Sequence, residues 1–161
     1  MNLSASSTWH RKILENINGN RRRNKMIFEK FLKGETFPVT FGEDLNTVIS
    51  KLEYPQVYLI SKEDESYGVY SQGIEYLFDM NELCLIQFEI DRLKQVYINK
   101  NKITENTNYD EFKGYLKQIK VEYEEEEYID NQKILLIKNN ITVYFDGVSN
   151  KFITAMRTRT W

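Results

Sequence analysis

Laid over itself at an offset of 67 residues, without gaps, the chain matches residues 41–90 to residues 108–157. Leu45, Val48, Ile49 and Leu52 fall on Phe112, Tyr115, Leu116 and Ile119. Both sets occupy i, i+3, i+4 and i+7, the apolar stripe of a short amphipathic helix. Each helix has an acidic first turn, Glu43-Asp44 and Asp110-Glu111, which suits the positive end of the helix dipole. Downstream, Tyr67-Gly68-Val69-Tyr70 falls on Ile134-Leu135-Leu136-Ile137. Ile74, Tyr76, Phe78 and Asp79 then meet Ile141, Val143, Phe145 and Asp146, and Leu85-Ile86 meets Phe152-Ile153. The pairs Ile74/Ile141, Phe78/Phe145, Asp79/Asp146 and Ile86/Ile153 are identities. Any two helix-plus-strand units match somewhere when slid to their best fit. Here helix period, strand period and turn position agree in succession, which favours a duplicated unit.

Each unit reads as one helix followed by an antiparallel meander. In the first, a helix near 43–53 stops at Tyr54-Pro55, because the residue before a proline is driven out of the helical region. Strands follow near 56–61, 67–71, 73–78 and 83–90, with turns at Ser71-Gln72-Gly73 and Asp79-Met80-Asn81-Glu82. The second unit has a helix near 109–119 and strands near 120–128, 132–138, 140–145 and 151–158. Its turns are Asn139-Asn140 and Asp146-Gly147. Residues 91–106 bridge the halves, and Val96-Tyr97-Ile98 extends the pairing before an Asn/Lys-rich turn. A helix over 26–33 ends at Gly34 and packs beside the first unit. The expected fold class is therefore α+β: two tandem helix-plus-four-stranded antiparallel meander units forming one continuous sheet, with helices on one face. The expected domain runs from 26 to 161, with repeats at about 41–90 and 108–157.

Charge divides the chain unevenly. Residues 1–25 hold six basic groups against Glu15, which leaves 16 basic against 23 acidic groups in the other 136 residues. A net −2 thus averages a leader of +5 with a body of −7. In the leader, Ser7 or Thr8 caps a short helix with Trp9, Ile13 and Ile17 on one side; the segment reads as a basic extension, partly helical or disordered. It has no apolar run of signal-peptide length, and no segment reaches the roughly 20 apolar residues of a membrane span, so a cytoplasmic location without membrane contact is expected. Arg21-Arg22-Arg23 lacks interleaved aromatics and is followed by an acidic body, so nucleic acid is not an expected partner. An acidic body suits a basic protein partner.

Alternation of side chains assigns the faces. Ile74, Tyr76, Phe78, Ile86, Phe88, Ile141, Val143, Phe145, Ile153 and Ala155 make an apolar face for the helices. The opposite face reads Glu75, Leu77, Leu85, Gln87 and Glu89 in the first unit and Thr142, Tyr144, Phe152, Thr154 and Met156 in the second. Large apolar, aromatic and Met side chains on an uncovered sheet face are the composition of a protein interface. Two acidic segments, Lys62-Glu63-Asp64-Glu65 and Glu122–Glu127, fall in corresponding parts of the units. Glu63, Asp64, Glu65, Glu124, Glu125 and Glu126 are expected to rim that face and speed association with a basic target.

Phe41-Gly42-Glu43-Asp44, with Val48 and Leu52-Glu53-Tyr54-Pro55, resembles the G-x-x-x-x-x-V-x-x-x-L-G-x-P opening of domains related to beta-lactamase inhibitory protein, a version of which small outer-membrane assembly lipoproteins share. Glu53-Tyr54 stands where that family has a Gly before the Pro. The continuation Tyr67-Gly68-Val69-Tyr70, Gly73-Ile74-Glu75-Tyr76-Leu77-Phe78-Asp79, Leu83 and Ile86 is similar to small bacterial proteins, some encoded as immunity partners beside secreted toxins. The resemblance spans about 26–90 directly and 108–157 through the repeat. It implies a tandem fold whose sheet surface grips and blocks a partner enzyme without catalysis of its own.

Enzymatic readings find little support in the sequence. One Cys cannot close an internal disulfide, and one His cannot build a Cys/His zinc site. No G-x-S-x-G or phosphate-cradling glycine loop is present. The Glu122–Glu127 run reads as a solvated strand edge before a metal site, Cys84 as a core residue by parity with Ile86 and Phe88, and Asp79 and Asp146 as turn residues. No catalytic residue, metal or cofactor is expected. The expected function is a non-enzymatic immunity-type inhibitor that binds a cognate, basic toxin. The alternatives are a small enzyme or ligand-binding domain using the sheet face as a pocket, and a structural homodimer whose open face pairs with itself.

Overall fold

The computed structural model describes residues 27–35, 38–89 and 96–160. The basic leader and its expected helix lie outside the described residues, as do residue 90 and residues 91–95 of the bridge. Residues 27–32 form helix α1. The chain continues through α2 (Leu45–Lys51), β1 (Gln56–Ser61), β2 (Ser66–Ser71), β3 (Ile74–Asp79) and β4 (Glu82–Glu89). After β5 (Val96–Ile98) and β6 (Asn101–Ile103) come α3 (Tyr109–Gln118), β7 (Tyr123–Ile129), β8 (Gln132–Ile137), β9 (Ile141–Asp146) and β10 (Phe152–Thr158). Eight strands make one antiparallel sheet in the order β1-β2-β3-β4-β10-β9-β8-β7. This is the expected α+β class with a continuous antiparallel sheet. The expected extension by Val96–Ile98 is not found: β5 pairs only with β6, as a separate hairpin.

Local sequence accounts for the elements. Asp44 caps α2 by accepting from the Thr47 N–H at 3.1 Å. Asn108 caps α3 in a reciprocal box with Glu111, where the two bonds are 2.9 and 3.0 Å and satisfy donors the helix leaves open. Three hairpins turn on two residues with positive φ, Gln72-Gly73, Met80-Asn81 and Asp130-Asn131, the mirror-image turn whose twist matches that of paired strands.

Among the described residues, α1, α2 and α3 contribute to one core on one side of the sheet. Phe28, Phe31 and Leu32 of α1, Val48 of α2, and Phe112 and Leu116 of α3 are buried there with Phe78, Phe88, Phe145 and Ala155. Phe112 lies edge-on to Phe145 at 5.3 Å and stacks on Phe152 at 5.5 Å, while Phe28 tilts against Phe88 at 5.1 Å.

Two β-bulges correct the face assignment. Phe145 pairs with Phe152, but Tyr144 pairs with Thr154, so Ile153 is an extra residue and the alternation slips by one. Phe152 is consequently in the core, not on the open face, and Ile153, expected in the core, is 38% exposed. Likewise Phe78 pairs with Leu83 and Leu77 with Leu85, which makes Cys84 the extra residue. Leu83 takes the core position; Cys84 is half-buried, with its thiol 3.3 Å from the Leu77 carbonyl oxygen.

Candidate protein-binding face

On the side away from the helices, one register row crosses every strand: Gln56, Tyr70, Glu75, Gln87, Met156, Thr142, Leu136 and Glu124. Beside it runs Tyr58, Gly68, Leu77, Leu85 and Thr158, and on the other side Glu89, Thr154, Tyr144, Ile134 and Glu126. The sheet therefore gathers Glu75, Leu77, Leu85, Gln87, Glu89, Thr142, Tyr144, Thr154 and Met156 on one surface, as alternation requires. Except for Glu75, these side chains are half-buried. Tyr58, Tyr70, Ile134 and Leu136 also belong to it. Alternation run outward into the flanking strands finds them, because Tyr58 and Tyr70 stand two residues from Gln56 and Gly68.

Glu75 is 6% exposed although it lies on the open side. Tyr58 covers it. The Tyr58 phenol donates to the Glu75 carboxylate, and its ring stacks on Tyr70 with centroids 5.3 Å apart. Gly68 makes this possible: a Cβ there would meet the Tyr58 ring at 1.9 Å. Gln87 donates to Glu89 at 3.0 Å along the neighbouring strand. A buried carboxylate under two stacked phenols is a rigid polar centre rather than a loose surface charge.

These phenols are held protonated. Burial and then Glu75 push Tyr58 far above the ordinary range, Glu75 raises Tyr70, and burial raises Tyr76 and Tyr109. A group whose folded pKa is raised stabilises the fold fully below its unfolded pKa, about 10 for Tyr, and loses that contribution as pH climbs above it. Stability is therefore expected to fall above about pH 10. A tyrosinate absorbance titration of the 11 tyrosines should divide into two phases, the later one coinciding with loss of far-UV circular dichroism. One phase with unchanged dichroism contradicts this assignment.

The acidic residues do not form a single rim. Glu63, Asp64 and Glu65 are exposed in the β1–β2 turn, whose Asp64 and Glu65 carbonyls accept from Met80 and Asn81 at 3.1 and 2.9 Å. Glu124 and Glu126 lie on β7, at the opposite edge, roughly 30 Å away across the interstrand spacings. Alternation divides the β7 glutamates: Glu124 and Glu126 share the open face, whereas Glu125 turns to the helix side and bonds Lys113 of α3 at 2.8 Å. Glu125 therefore serves the fold. Among the described strand residues, the register places Glu75, Asp79, Glu82, Glu89, Glu124, Glu126 and Asp146 on the open side, and no Lys or Arg.

Among the described residues no cluster of three or more His, Cys, Asp or Glu side chains could hold a metal ion. A cavity of about 310 Å³ lies at the sheet's corner, lined by Tyr54, Gln56, Tyr70, Ser71, Gln72 and Gly73. It is away from the centre of the face. Compared with models of protein families, with curated proteins and with solved structures, the chain matches none.

Proposed function

We propose that this chain is a non-enzymatic inhibitor of the immunity type, which binds and neutralises a cognate basic toxin in the bacterial cytoplasm through its open sheet face. The single observation that carries the proposal is the sign of that face. Its strands offer Leu77, Leu85, Tyr144 and Met156 between acidic residues, and the described strand positions that share this face hold no Lys or Arg, since Lys133 and Arg157 pair on the helix side. An apolar centre supplies contact energy, and a field of one sign steers and selects a basic partner. The exposed Glu63-Asp64-Glu65 turn extends the negative field at one end of the sheet. The alternative of an enzyme or ligand-binding domain has the corner cavity in its favour, but that cavity presents Tyr, Gln, Ser and Gly rather than an acid–base pair.

We also propose that the sheet arose by duplication, with insertions where the gapless comparison assumed none. Both closing strands carry a bulge one residue after their first core residue, at Cys84 and Ile153, an offset of 69. The inner strands Ile74–Asp79 and Ile141–Asp146 keep the offset of 67. The caps Asp44 and Asn108 differ by 64, and each forms a lone bridge to the start of its closing strand, Glu82 and Lys151. In this view Val48, not Leu45, is the counterpart of Phe112.

The test is binding to the toxin domain encoded by a neighbouring gene. The chain is expected to co-purify with it and restore growth against it, with affinity that falls as salt rises. Leu77→Ala combined with Tyr144→Ala should weaken binding by about tenfold or more. If no basic partner binds, or the double variant binds like the native protein, the proposal fails.

A further inference from the structure

The sheet has two edges, β1 and β7, and the sequence treats them in opposite ways. β7 carries Glu124, Glu125 and Glu126 in succession, so a strand added along it meets a row of carboxylates. β1 reads Gln-Val-Tyr-Leu-Ile-Ser, with neither a charge nor a proline. Along it Val57, Leu59 and Ile60 are 48%, 57% and 54% exposed, although each is large and apolar. An edge strand also presents backbone N–H and C=O groups that β2, its neighbour among the described strands, does not use. Tyr58 does not compete for them, because its phenol is committed to Glu75 in its own sheet.

We propose that β1 is a contact between two copies of this chain, paired antiparallel through Val57–Leu59 about a two-fold axis at Tyr58. Charge selects this occupant. β1 is neutral along its length, so a second β1 brings no charge against it, whereas β7 of a second copy brings a run of glutamates. Closure selects it too: β1 against β1 ends at two copies, while β1 against β7 repeats without end. With Val57 opposite Leu59 of the second copy, the exposed apolar residues meet on the helix side and the two open faces lie side by side. The bulge at Ile60, between the Leu59 and Ser61 pairings, ends the ladder and keeps the contact short. A contact of this length buries well under the roughly 1,600 Å² of a standard interface, so the dimer is weak and depends on concentration.

Sedimentation equilibrium of the full chain from about 5 µM to about 1 mM, the range that resolves a weak dimer, tests this. The average mass should rise from 19.3 kDa towards twice that value. Val57→Lys and Leu59→Lys should weaken association about tenfold or more by placing charge on the paired edge. Met80→Lys, at an exposed apolar residue of the β3–β4 turn, should leave it unchanged. Circular dichroism checks folding, and Leu59→Thr, which keeps strand propensity, serves if the lysine variants unfold. Added salt should not disperse the dimer, because the paired strands carry no charge. A mass of 19.3 kDa throughout, a dimer indifferent to both Leu59 variants, or one dispersed by salt overturns the proposal.

Discussion

Phe112→Ala is expected to destabilise the protein by about 3–5 kcal/mol. Phe112 is fully buried, and its ring touches Phe28 of α1 at 6.4 Å, Phe145 of β9 at 5.3 Å and Phe152 of β10 at 5.5 Å. It is thus where α3, α1 and the second half of the sheet meet. Truncation removes the transfer energy of the ring and leaves a cavity, which three aromatic rings held by separate elements cannot readily fill. For a chain of this size each kcal/mol lowers Tm by about 2–4 °C, so a fall of roughly 10 °C is expected. Denaturant unfolding should show the same loss as a lower midpoint at unchanged slope. Phe112→Leu, which refills much of the space, should cost clearly less than the alanine. Equal costs for the two would mean that the site collapses freely and that the ring packing described above does not carry the stability.

The amphipathic stripe that contains Phe112 is also the plainest feature in the sequence. Phe112, Tyr115, Leu116 and Ile119 recur at helical spacing; Phe112 and Leu116 are buried, and Tyr115 and Ile119 pack half-buried against the core. The inner strands were equally legible, because Ile141-Thr142-Val143-Tyr144-Phe145 alternates without interruption and pairs in regular register. What alternation cannot report is a change in the partner's count. Phe152 and Ile153 are both large and apolar, so nothing local says which faces the core; the choice is made by Phe145 and Tyr144 across the strand boundary. The same holds for Cys84, which the register slip between Leu77 and Phe78 leaves without a partner residue of its own. On the open face, Leu77, Tyr144 and Met156 follow from alternation alone, whereas the burial of Glu75 does not. It depends on Tyr58, two strands away, and on Gly68 between them. The position of the acidic segments had the same limit: a run of glutamates gives its charge but not which of them a helix lysine will claim, as Lys113 claims Glu125.

Gly68→Ala should reveal that long-range arrangement by an effect that changes sign with its neighbour. In an ordinary strand the change is favourable, since alanine loses less backbone entropy on folding, by roughly 0.5–1 kcal/mol. Here the new Cβ falls 1.9 Å from the Tyr58 ring and 2.2 Å from its hydroxyl, so the ring must leave its seat. The Tyr58–Glu75 hydrogen bond and the stack on Tyr70 are lost with it. Glu75 then keeps its place on β3 without the Tyr58 donor. The combined cost should be about 2–3 kcal/mol. With Tyr58→Ala already in place there is nothing to displace, and Gly68→Ala should become neutral or slightly stabilising. The cycle closes with a coupling energy of about 2 kcal/mol, well above the few tenths expected of independent sites. Tyr58→Phe separates the contributions: it keeps the ring over Gly68 and removes only the donor, so Gly68→Ala should remain costly in that background. If Gly68→Ala has the same effect in the native, Tyr58→Phe and Tyr58→Ala backgrounds, the ring is not seated on the glycine and the buried Glu75 must be held by other groups.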